Sequence, residues 1–204
     1  MTLRIETPWG PWEAMSLPSV VELFRQAAVP WWVSGGYAVE LAVGRAYRDH
    51  GDLDVSLLRR DHVAVRGLLS GWDCHVADSG TLRPWPPGEV LPETAHDIWV
   101  REHPGGPWRF QLMLDEADGT DWVYRRDPRI RRALATLTIE EPGFRRLAPE
   151  VQLLYKANDP RPKDEQDFTE VVPVLTGEQR HWLDTALRLT HPTHPWRERL
   201  RSEP

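Results

Sequence analysis

The 204-residue sequence predicts an α+β fold, with a mixed β-sheet flanked by helices over residues 16–147 and a helical cap over residues 148–200. Apolar residues at 53, 55 and 57 alternate with polar ones, which is the period of a half-buried strand. Further short strand-like segments follow, separated by turns rich in glycine and proline. From residue 149 onward, apolar residues instead recur at helical spacing.

The composition indicates a folded protein that stays in the cytoplasm. Hydrophobic residues make up 40% of the chain and charged residues 27%, enough for a packed core. The single cysteine, Cys74, forms no internal disulfide, and we find neither a signal-peptide pattern nor an apolar run of membrane-spanning length. The net charge of -6 argues against a nucleic-acid partner and suits a cationic substrate.

The first half of the chain predicts alternating helices and strands after an aperiodic arm over residues 1–15. A capping-box pattern from Ser19 to Glu22 predicts the start of the first helix, and Pro30 lies beyond its end. The segments that follow are predicted in order as strand 31–33, helix 37–43, strand 53–57, helix 61–69 and strand 72–76.

The second half predicts a β-meander and then helices. Four prolines and two glycines in residues 79–95 predict a loop over or beside the functional site. The predicted strands are 97–101, 108–114 and 122–124, and the predicted helices are one that starts at Pro149, one over 163–172 and one over 178–189.

Two carboxylates are the first candidate site residues. On a strand, Asp52 and Asp54 point to the same side while Leu53 and Val55 enter the core. Neighbouring carboxylates repel each other unless a cation joins them. Mg²⁺ prefers carboxylate oxygens and keeps waters for substrate phosphates. Two such ions, about 3.5–4 Å apart, hold the attacking and leaving oxygens of a phosphoryl displacement.

A glycine pair precedes these carboxylates. Ser34, Gly35 and Gly36 follow a strand and open a helix. Residues without a Cβ atom let the backbone approach a phosphate closely, and a helix N-terminus offers N–H groups to an anion. We therefore predict that these three residues bind the phosphates of a nucleotide.

The order of these motifs resembles a known family. The segment from Trp32 through Ser34-Gly-Gly36, Arg48 and His50 to Asp52-Leu-Asp54 is similar to the aminoglycoside 2''-O-adenylyltransferases and lincosamide nucleotidyltransferases of the DNA polymerase β superfamily. The later run of residues 153–157, with residues 163–168, resembles the helical tail of these enzymes.

The resemblance implies transfer of a nucleoside monophosphate, AMP from ATP, to a hydroxyl, with Mg²⁺ held by Asp52 and Asp54. It also implies a third carboxylate, as metal ligand or base, on a later strand. Asp115 is the candidate, since it shares a strand face with residues 111 and 113. In a shifted register Gln111 takes that position instead, and the base comes from elsewhere, for example from Glu116. The alternative interpretation of Asp115 is a residue at the end of a strand.

Other charged residues have a functional and a structural interpretation. Arg48 and Lys156 are candidates for contacts with the triphosphate, and each is otherwise a surface residue. His50 either supports a carboxylate or lies on a loop. Three predictions are structural: a charge cluster of Lys163, Asp164 and Asp167, a solvated basic run over residues 125–132, and a tail segment that holds His191 and His194.

The implied acceptor is a small hydroxyl-bearing molecule, for example an aminoglycoside-like antibiotic. The sequence leaves three alternatives open. One is a nucleotidyltransferase of a toxin–antitoxin type that modifies RNA or protein. Another is a catalytically silent module that binds a nucleotide. The last is an interaction protein that retains the fold.

Overall fold

The structure is a computed structural model that describes residues 4–78 and 80–202. The strands are β1 (Arg4–Ile5), β2 (Trp12–Glu13), β3 (Trp31–Ser34), β4 (Asp54–Leu58), β5 (Asp73–Asp78), β6 (Thr81–Pro84), β7 (Asp97–Arg101), β8 (Phe110–Asp118), β9 (Asp121–Val123), β10 (Arg131–Ala133), β11 (Thr138–Glu141) and β12 (Phe144–Leu147). The helices are α1 (Leu17–Phe24), α2 (Gly35–Val43), α3 (His62–Leu68), α4 (Leu134–Leu137), α5 (Pro149–Lys156), α6 (Pro162–Val171), α7 (Gly177–Thr190) and α8 (Trp196–Ser202), with 3₁₀ turns at Arg59–Asp61 and Val172–Val174.

The strands β3 to β12 form one mixed sheet. Its main path runs in the order β11, β12, β3, β4, β8, β7, β5, β6, and β9 and β10 extend the hairpin that β8 begins. Two pairs are parallel, β12 with β3 and β4 with β8, and the remaining pairs are antiparallel. Helices lie against this sheet, so the predicted α+β class with a mixed sheet flanked by helices is confirmed.

The register of the central strands gives the sheet two different faces. Asp54 of β4 lies opposite Gln111 of β8, which lies opposite Trp99 of β7. Ser56, Met113 and Asp97 form the next row on the same face. The intervening apolar residues point the other way, as the period of two requires, and pack with α1 and α3 in a buried core that includes Val20, Phe24, Val55, Leu57, Val65, Ile98, Phe110 and Leu112.

The C-terminal helices cover part of the polar face. Buried residues of α5 to α8 form one apolar cluster with Trp32 of β3, Ala38 and Val39 of α2, and Leu147 of β12. The predicted boundary between residues 147 and 148 falls where β12 ends and α5 begins. The division into two domains stays a prediction.

The first helix and the segment before the C-terminal helices differ from the prediction. Helix α1 begins at Leu17 rather than at Ser19, because the hydroxyl of Ser16 accepts a hydrogen bond from the backbone N–H of Ser19 and caps the helix. Residues 130–147, for which no elements were predicted, contain β10, α4, β11 and β12. Strand β12 matters most, because it joins β3 and extends the sheet beside the glycine pair.

The proline-rich segment 79–95 also differs. Its first residue lies outside the described residues, and residues 80–95 contain the strand β6. Trp85, Leu91 and Ala95 are buried in the core on the far face of the sheet. His62 of α3 accepts a hydrogen bond from the backbone N–H of Leu91 at 2.9 Å. In the described part of the chain, every helix is too short or too polar to cross a membrane.

Candidate active site

The glycine pair packs directly against the acidic strand. Gly35 has a φ angle of +66°, which favours glycine. A Cβ atom on Gly35 would lie 1.9 Å from the carboxylate oxygen Oδ2 of Asp54, and one on Gly36 would lie 2.4 Å from a guanidinium nitrogen of Arg48. Both positions therefore require glycine, because any side chain would displace a charged group of the site.

Asp52 and Asp54 come together at the start of β4. Burial and, after it, the neighbouring charge of Asp52 raise the pKa of Asp54 to about 7, while Lys156 opposes the shift. A pair of neighbouring carboxylates fits a divalent cation. Within residues 4–78 and 80–202, no group of three or more His, Cys, Asp or Glu side chains is arranged to hold a metal ion.

The first amide of α2 already has a protein partner. The backbone N–H of Gly35 donates a hydrogen bond of 2.7 Å to Oε1 of Gln152 on α5. The hydroxyl of Ser56 donates to that of Ser34 at 2.8 Å, so the predicted phosphate-binding serine is buried. The sequence analysis did not single out Gln152. The sequence feature that could have indicated Gln152 is a polar residue among the buried apolar residues of α5.

Arg48 and Lys156 meet at one buried carboxylate. Arg48 donates to both oxygens of Asp167, at 2.6 and 2.9 Å, and Tyr47 donates to one of them at 2.7 Å. Nζ of Lys156 lies 2.8 Å from Asp167 and 2.7 Å from Asp164. Burial opposes ionisation of Asp167, but the hydrogen bonds from Arg48 and Lys156 hold its pKa below the usual range. This network fastens α5 and α6 to the segment that follows α2. Of the predicted charge cluster it contains Asp164 and Asp167, whereas Lys163 lines the neighbouring cleft.

A cleft of about 350 Å³ opens around Asp52 and Asp54. The glycine pair forms part of its wall. Two further carboxylates, of Asp159 and Asp164, also line the cleft, together with cationic side chains, namely Arg48, Arg126, Lys156, Arg161 and Lys163. Cationic side chains close to Asp52 and Asp54 suit a triphosphate that carries a metal ion.

His50 supports the glycine turn from the side. Its ring stacks on Tyr37 with centroids 4.3 Å apart, and its Nε2 atom lies 2.9 Å from Glu40. Burial lowers the pKa of His50. The ring packs against Gly36, where a Cβ atom would lie 2.6 Å from its Nδ1 atom.

The register places Gln111 opposite Asp54, which is the alternative register considered for the third carboxylate. Asp115 lies four residues further along β8 and pairs with Leu58. It is buried and accepts hydrogen bonds from Trp122 and Tyr155. Glu116 points to the opposite face and accepts a hydrogen bond of 2.6 Å from Arg59.

Asp97 is an acidic residue near Asp54 that the sequence analysis did not single out. It lies on β7, and its charge raises the pKa of Asp54. Burial in turn raises the pKa of Asp97, against the opposing charges of Arg125 and Arg126. Its Oδ1 atom is buried and has no hydrogen-bond partner among the described residues. The sequence feature that could have indicated Asp97 is the alternation of β7, which places Asp97, Trp99 and Arg101 on the same face of the sheet as Asp54.

A groove of about 250 Å³ adjoins Asp97 on the side away from the cationic cleft. Trp99 of β7 and Trp9 of the N-terminal arm form its aromatic walls, with ring centroids 5.8 Å apart at an angle of 88°. Asp78 of β5 also lines it. Trp9 is 43% exposed, and the backbone around it is fixed by a hydrogen bond of 2.9 Å from the indole of Trp108 to its carbonyl.

The fold and this arrangement of glycine turn, acidic strand and cationic cleft define a nucleotidyltransferase. The sequence model of the aminoglycoside-2''-adenylyltransferases matches residues 16–171, and the chain belongs to that family. No individually curated protein matches the chain in sequence.

Solved structures share the fold. The lincosamide antibiotic adenylyltransferase LnuA, bound to lincomycin, is 18% identical with a TM-score of 0.54 over 78% of this chain and 96% of its own. ANT(2'')-Ia in complex with adenylyl-2''-tobramycin is 14% identical with a TM-score of 0.57 over 86% and 96% of the two chains. A solution structure of ANT(2'')-Ia is similar, at 14% identity and a TM-score of 0.56 over 90% and 95%.

Proposed function

We propose that this chain transfers AMP from ATP to a hydroxyl group of a small acceptor, with Mg²⁺ held by Asp52 and Asp54. The observation that carries the proposal is the contact between the backbone of Gly35 and the carboxylate of Asp54, at the mouth of a cationic cleft. A phosphate that lies on the glycine turn is then adjacent to the metal carboxylates, as phosphoryl transfer requires.

Mg²⁺ supplies neutralisation of the charge that develops on the transferred phosphoryl group. Asp52 and Asp54 fit that cation, because two partly buried carboxylates repel each other without one. Arg161 and Lys163 line the cleft and are our candidates for contacts with the leaving pyrophosphate. Arg48 and Lys156 hold the turn and the cap in position through Asp167.

Asp97 is our candidate for the general base. In the reaction, the acceptor oxygen attacks the α-phosphorus, the bond from that phosphorus to the bridging oxygen of pyrophosphate breaks, and the hydroxyl proton passes to Asp97. Strands β4 and β7 are separated by β8, so their backbones lie about 10 Å apart. That separation suits a base that contacts an acceptor better than a third ligand of a shared metal ion. A raised pKa also suits proton transfer near neutral pH.

The groove beside Asp97 is our candidate acceptor site. Its aromatic walls, Trp9 and Trp99, suit the ring face of a small molecule, and its acidic residues suit a cationic one. The relatives named above were solved with lincomycin and with an adenylylated tobramycin. We therefore propose an antibiotic of the lincosamide or aminoglycoside type as the acceptor.

The test is product formation. Purified protein is incubated with ATP, Mg²⁺ and each antibiotic of a lincosamide and aminoglycoside panel, and the mixtures are analysed by mass spectrometry. We expect one antibiotic to gain a single adenylyl group with release of one pyrophosphate, and Asp54→Asn to form no product. An unmodified panel, combined with labelling of RNA or protein from ATP that carries a radioactive α-phosphate, would instead establish the toxin–antitoxin alternative.

A further inference from the structure

A second, smaller cavity lies between the sheet and α5. Its volume is about 130 Å³, and Gly35 and Asp54 line it together with Met113, Asp115 and Tyr155. Gln111 is level with Asp54, and Asp115 lies four residues further along the same strand. At about 3.3 Å per residue, the cavity extends over roughly 13 Å of sheet from the proposed phosphate site.

Asp115 lines this cavity, and its two carboxylate oxygens differ in their hydrogen bonds. The residue is 4% exposed. Its Oδ1 atom accepts hydrogen bonds from the indole N–H of Trp122 at 3.1 Å and from the hydroxyl of Tyr155 at 2.7 Å. Its Oδ2 atom is buried and has no hydrogen-bond partner within the described ranges 4–78 and 80–202. A buried acceptor without a donor is costly, so a donor from a ligand would be stabilised there.

The ligand that reaches this cavity from the phosphate site is a nucleotide, and the part that enters is its base. We infer that Asp115 is the residue that selects the base, by accepting a hydrogen bond from the exocyclic amino group of adenine. This inference rests on the proposed nucleotidyl transfer. It adds a specificity-determining residue that touches the base and takes no part in the chemical step.

Hydrogen-bond chemistry favours adenine. Adenine carries an amino group where guanine carries a carbonyl oxygen, and uracil likewise presents a carbonyl where cytosine presents an amino group. A carbonyl oxygen placed against Oδ2 of Asp115 would face a second acceptor. Guanine could donate only one of its two adjacent N–H groups to Oδ2 and would leave the other without an acceptor on Asp115, because Oδ1 already accepts from Trp122 and Tyr155. Cytosine carries an amino group on a single ring and spans less of the cavity.

The neighbours of Asp115 make its replacement by asparagine informative. The indole N–H of Trp122 only donates, so in the Asp115→Asn variant the oxygen of the new amide must occupy the position of Oδ1. The amide NH₂ then lies where Oδ2 was. In the wild-type protein Oδ2 accepts a hydrogen bond and therefore selects an amino group. In the variant the amide NH₂ donates a hydrogen bond and therefore selects a carbonyl oxygen. Hypoxanthine carries that carbonyl in place of the amino group of adenine.

The experiment measures the affinity of the full chain for Mg²⁺-ATP and Mg²⁺-ITP by calorimetry, without any acceptor. We expect the wild-type protein to bind ATP at least about tenfold more tightly than ITP, as one hydrogen bond to a charged group allows. In Asp115→Asn the ratio should fall to about one or reverse in favour of ITP. An unchanged ratio in a folded Asp115→Asn protein overturns the inference, and so does equal affinity of the wild-type protein for both nucleotides.

Glu116→Gln is the matched control. It makes the same chemical change one residue along β8, on the opposite face of the sheet, where Glu116 pairs with Arg59. The ratio of ATP to ITP affinity should stay at the wild-type value. The outcomes also separate the two proposals. If no nucleoside triphosphate binds the wild-type protein, the proposed function itself fails. If both nucleotides bind equally well, only the role of Asp115 fails.

Discussion

The backbone of Gly35 lies so close to the carboxylate of Asp54 that a single added methyl group would sit 1.9 Å from its Oδ2 atom. This contact joins the two motifs of the site. It also explains their order in the chain, because β3, which ends at the glycine turn, pairs with β4, which begins at Asp54. A side chain added to the glycine turn would therefore move the carboxylate of the acidic strand.

Gly35→Ala is expected to abolish nucleotidyl transfer. The new Cβ atom would displace the Asp54 carboxylate, and alanine at a φ of +66° also costs about 1–2 kcal/mol in backbone strain. Gly44→Ala provides the control. Gly44 has a similar φ of +78°, but no atom lies within 4 Å of an added Cβ. Both variants should lose stability in urea denaturation, and only Gly35→Ala should lose activity. Equal loss of activity in both would refute the close-contact argument.

Asp54→Asn is expected to remove activity and yet raise thermal stability at neutral to alkaline pH. The folded state raises the pKa of Asp54 from 3.8 to about 7. Between these values the folded protein binds more protons than the unfolded chain, so the wild-type protein loses stability as the pH rises through this interval. The asparagine variant lacks that loss. Its advantage in Tm should grow from pH 4 to pH 7 and then level off.

Melting curves measured at several pH values check this expectation. In a chain of this length, Tm changes by about 2–4 °C for each kcal/mol of change in the free energy of unfolding. Millimolar Mg²⁺ should reduce the advantage, because the cation neutralises the carboxylate pair in the wild-type protein. A Tm difference that is constant from pH 4 to pH 9 would contradict the raised pKa.

Asp97→Asn is expected to lower kcat by about 10²–10⁴, the usual contribution of a general base. Affinity for ATP should stay near the wild-type value, because Asp97 lies across β8 from the proposed metal site. Steady-state kinetics with the identified acceptor, together with ATP titration, separate these effects. An unchanged kcat in the Asp97→Asn enzyme would mean that another residue is the general base.

Asp167→Ala is expected to destabilise the protein by about 3–5 kcal/mol, because it leaves the partly buried Arg48 without a counter-charge and Lys156 with Asp164 alone. Glu170→Ala, one turn later on α6, removes a pair with Arg45 whose side chain is 60% exposed. That control should cost no more than about 1 kcal/mol. Chemical denaturation of both variants measures the difference. Similar costs would mean that the buried network does not fasten the cap.

The sequence predicted the fold class and the two central motifs because both depend on local patterns. Asp52 and Asp54 stand out through the alternation of β4, and Gly35 through its position after a strand. The strand β12 was missed because its two central residues are both arginines, which breaks the alternation, and its place in the sheet depends on pairing with the distant β3. The N-cap of α1 was misplaced by three residues because Ser16 and Ser19 both fit the capping pattern.

Asp97 and Gln152 could not be assigned from sequence for a different reason. Each reaches the site from an element whose position depends on the tertiary register. Asp97 comes from a strand two places away in the sheet, and Gln152 from a helix 117 residues beyond the amide that it contacts. The family resemblance implies a third carboxylate, and Asp115 was the candidate because of its strand face. The register places Gln111 opposite Asp54, as in the alternative stated for that position. The role of Asp115 as metal ligand or general base stays an untested prediction. Our two proposals, that Asp97 is the general base and that Asp115 selects the nucleotide base, would replace it.

Calorimetric titration with ATP, in the presence and absence of Mg²⁺, tests the central claim most directly, because it needs no knowledge of the acceptor. We predict binding that depends on Mg²⁺ in the wild-type protein and is lost in Asp52→Asn and Asp54→Asn. Binding that is indifferent to Mg²⁺ and to both substitutions, or no binding of any nucleoside triphosphate, would contradict a metal-dependent nucleotidyltransferase built on these two carboxylates.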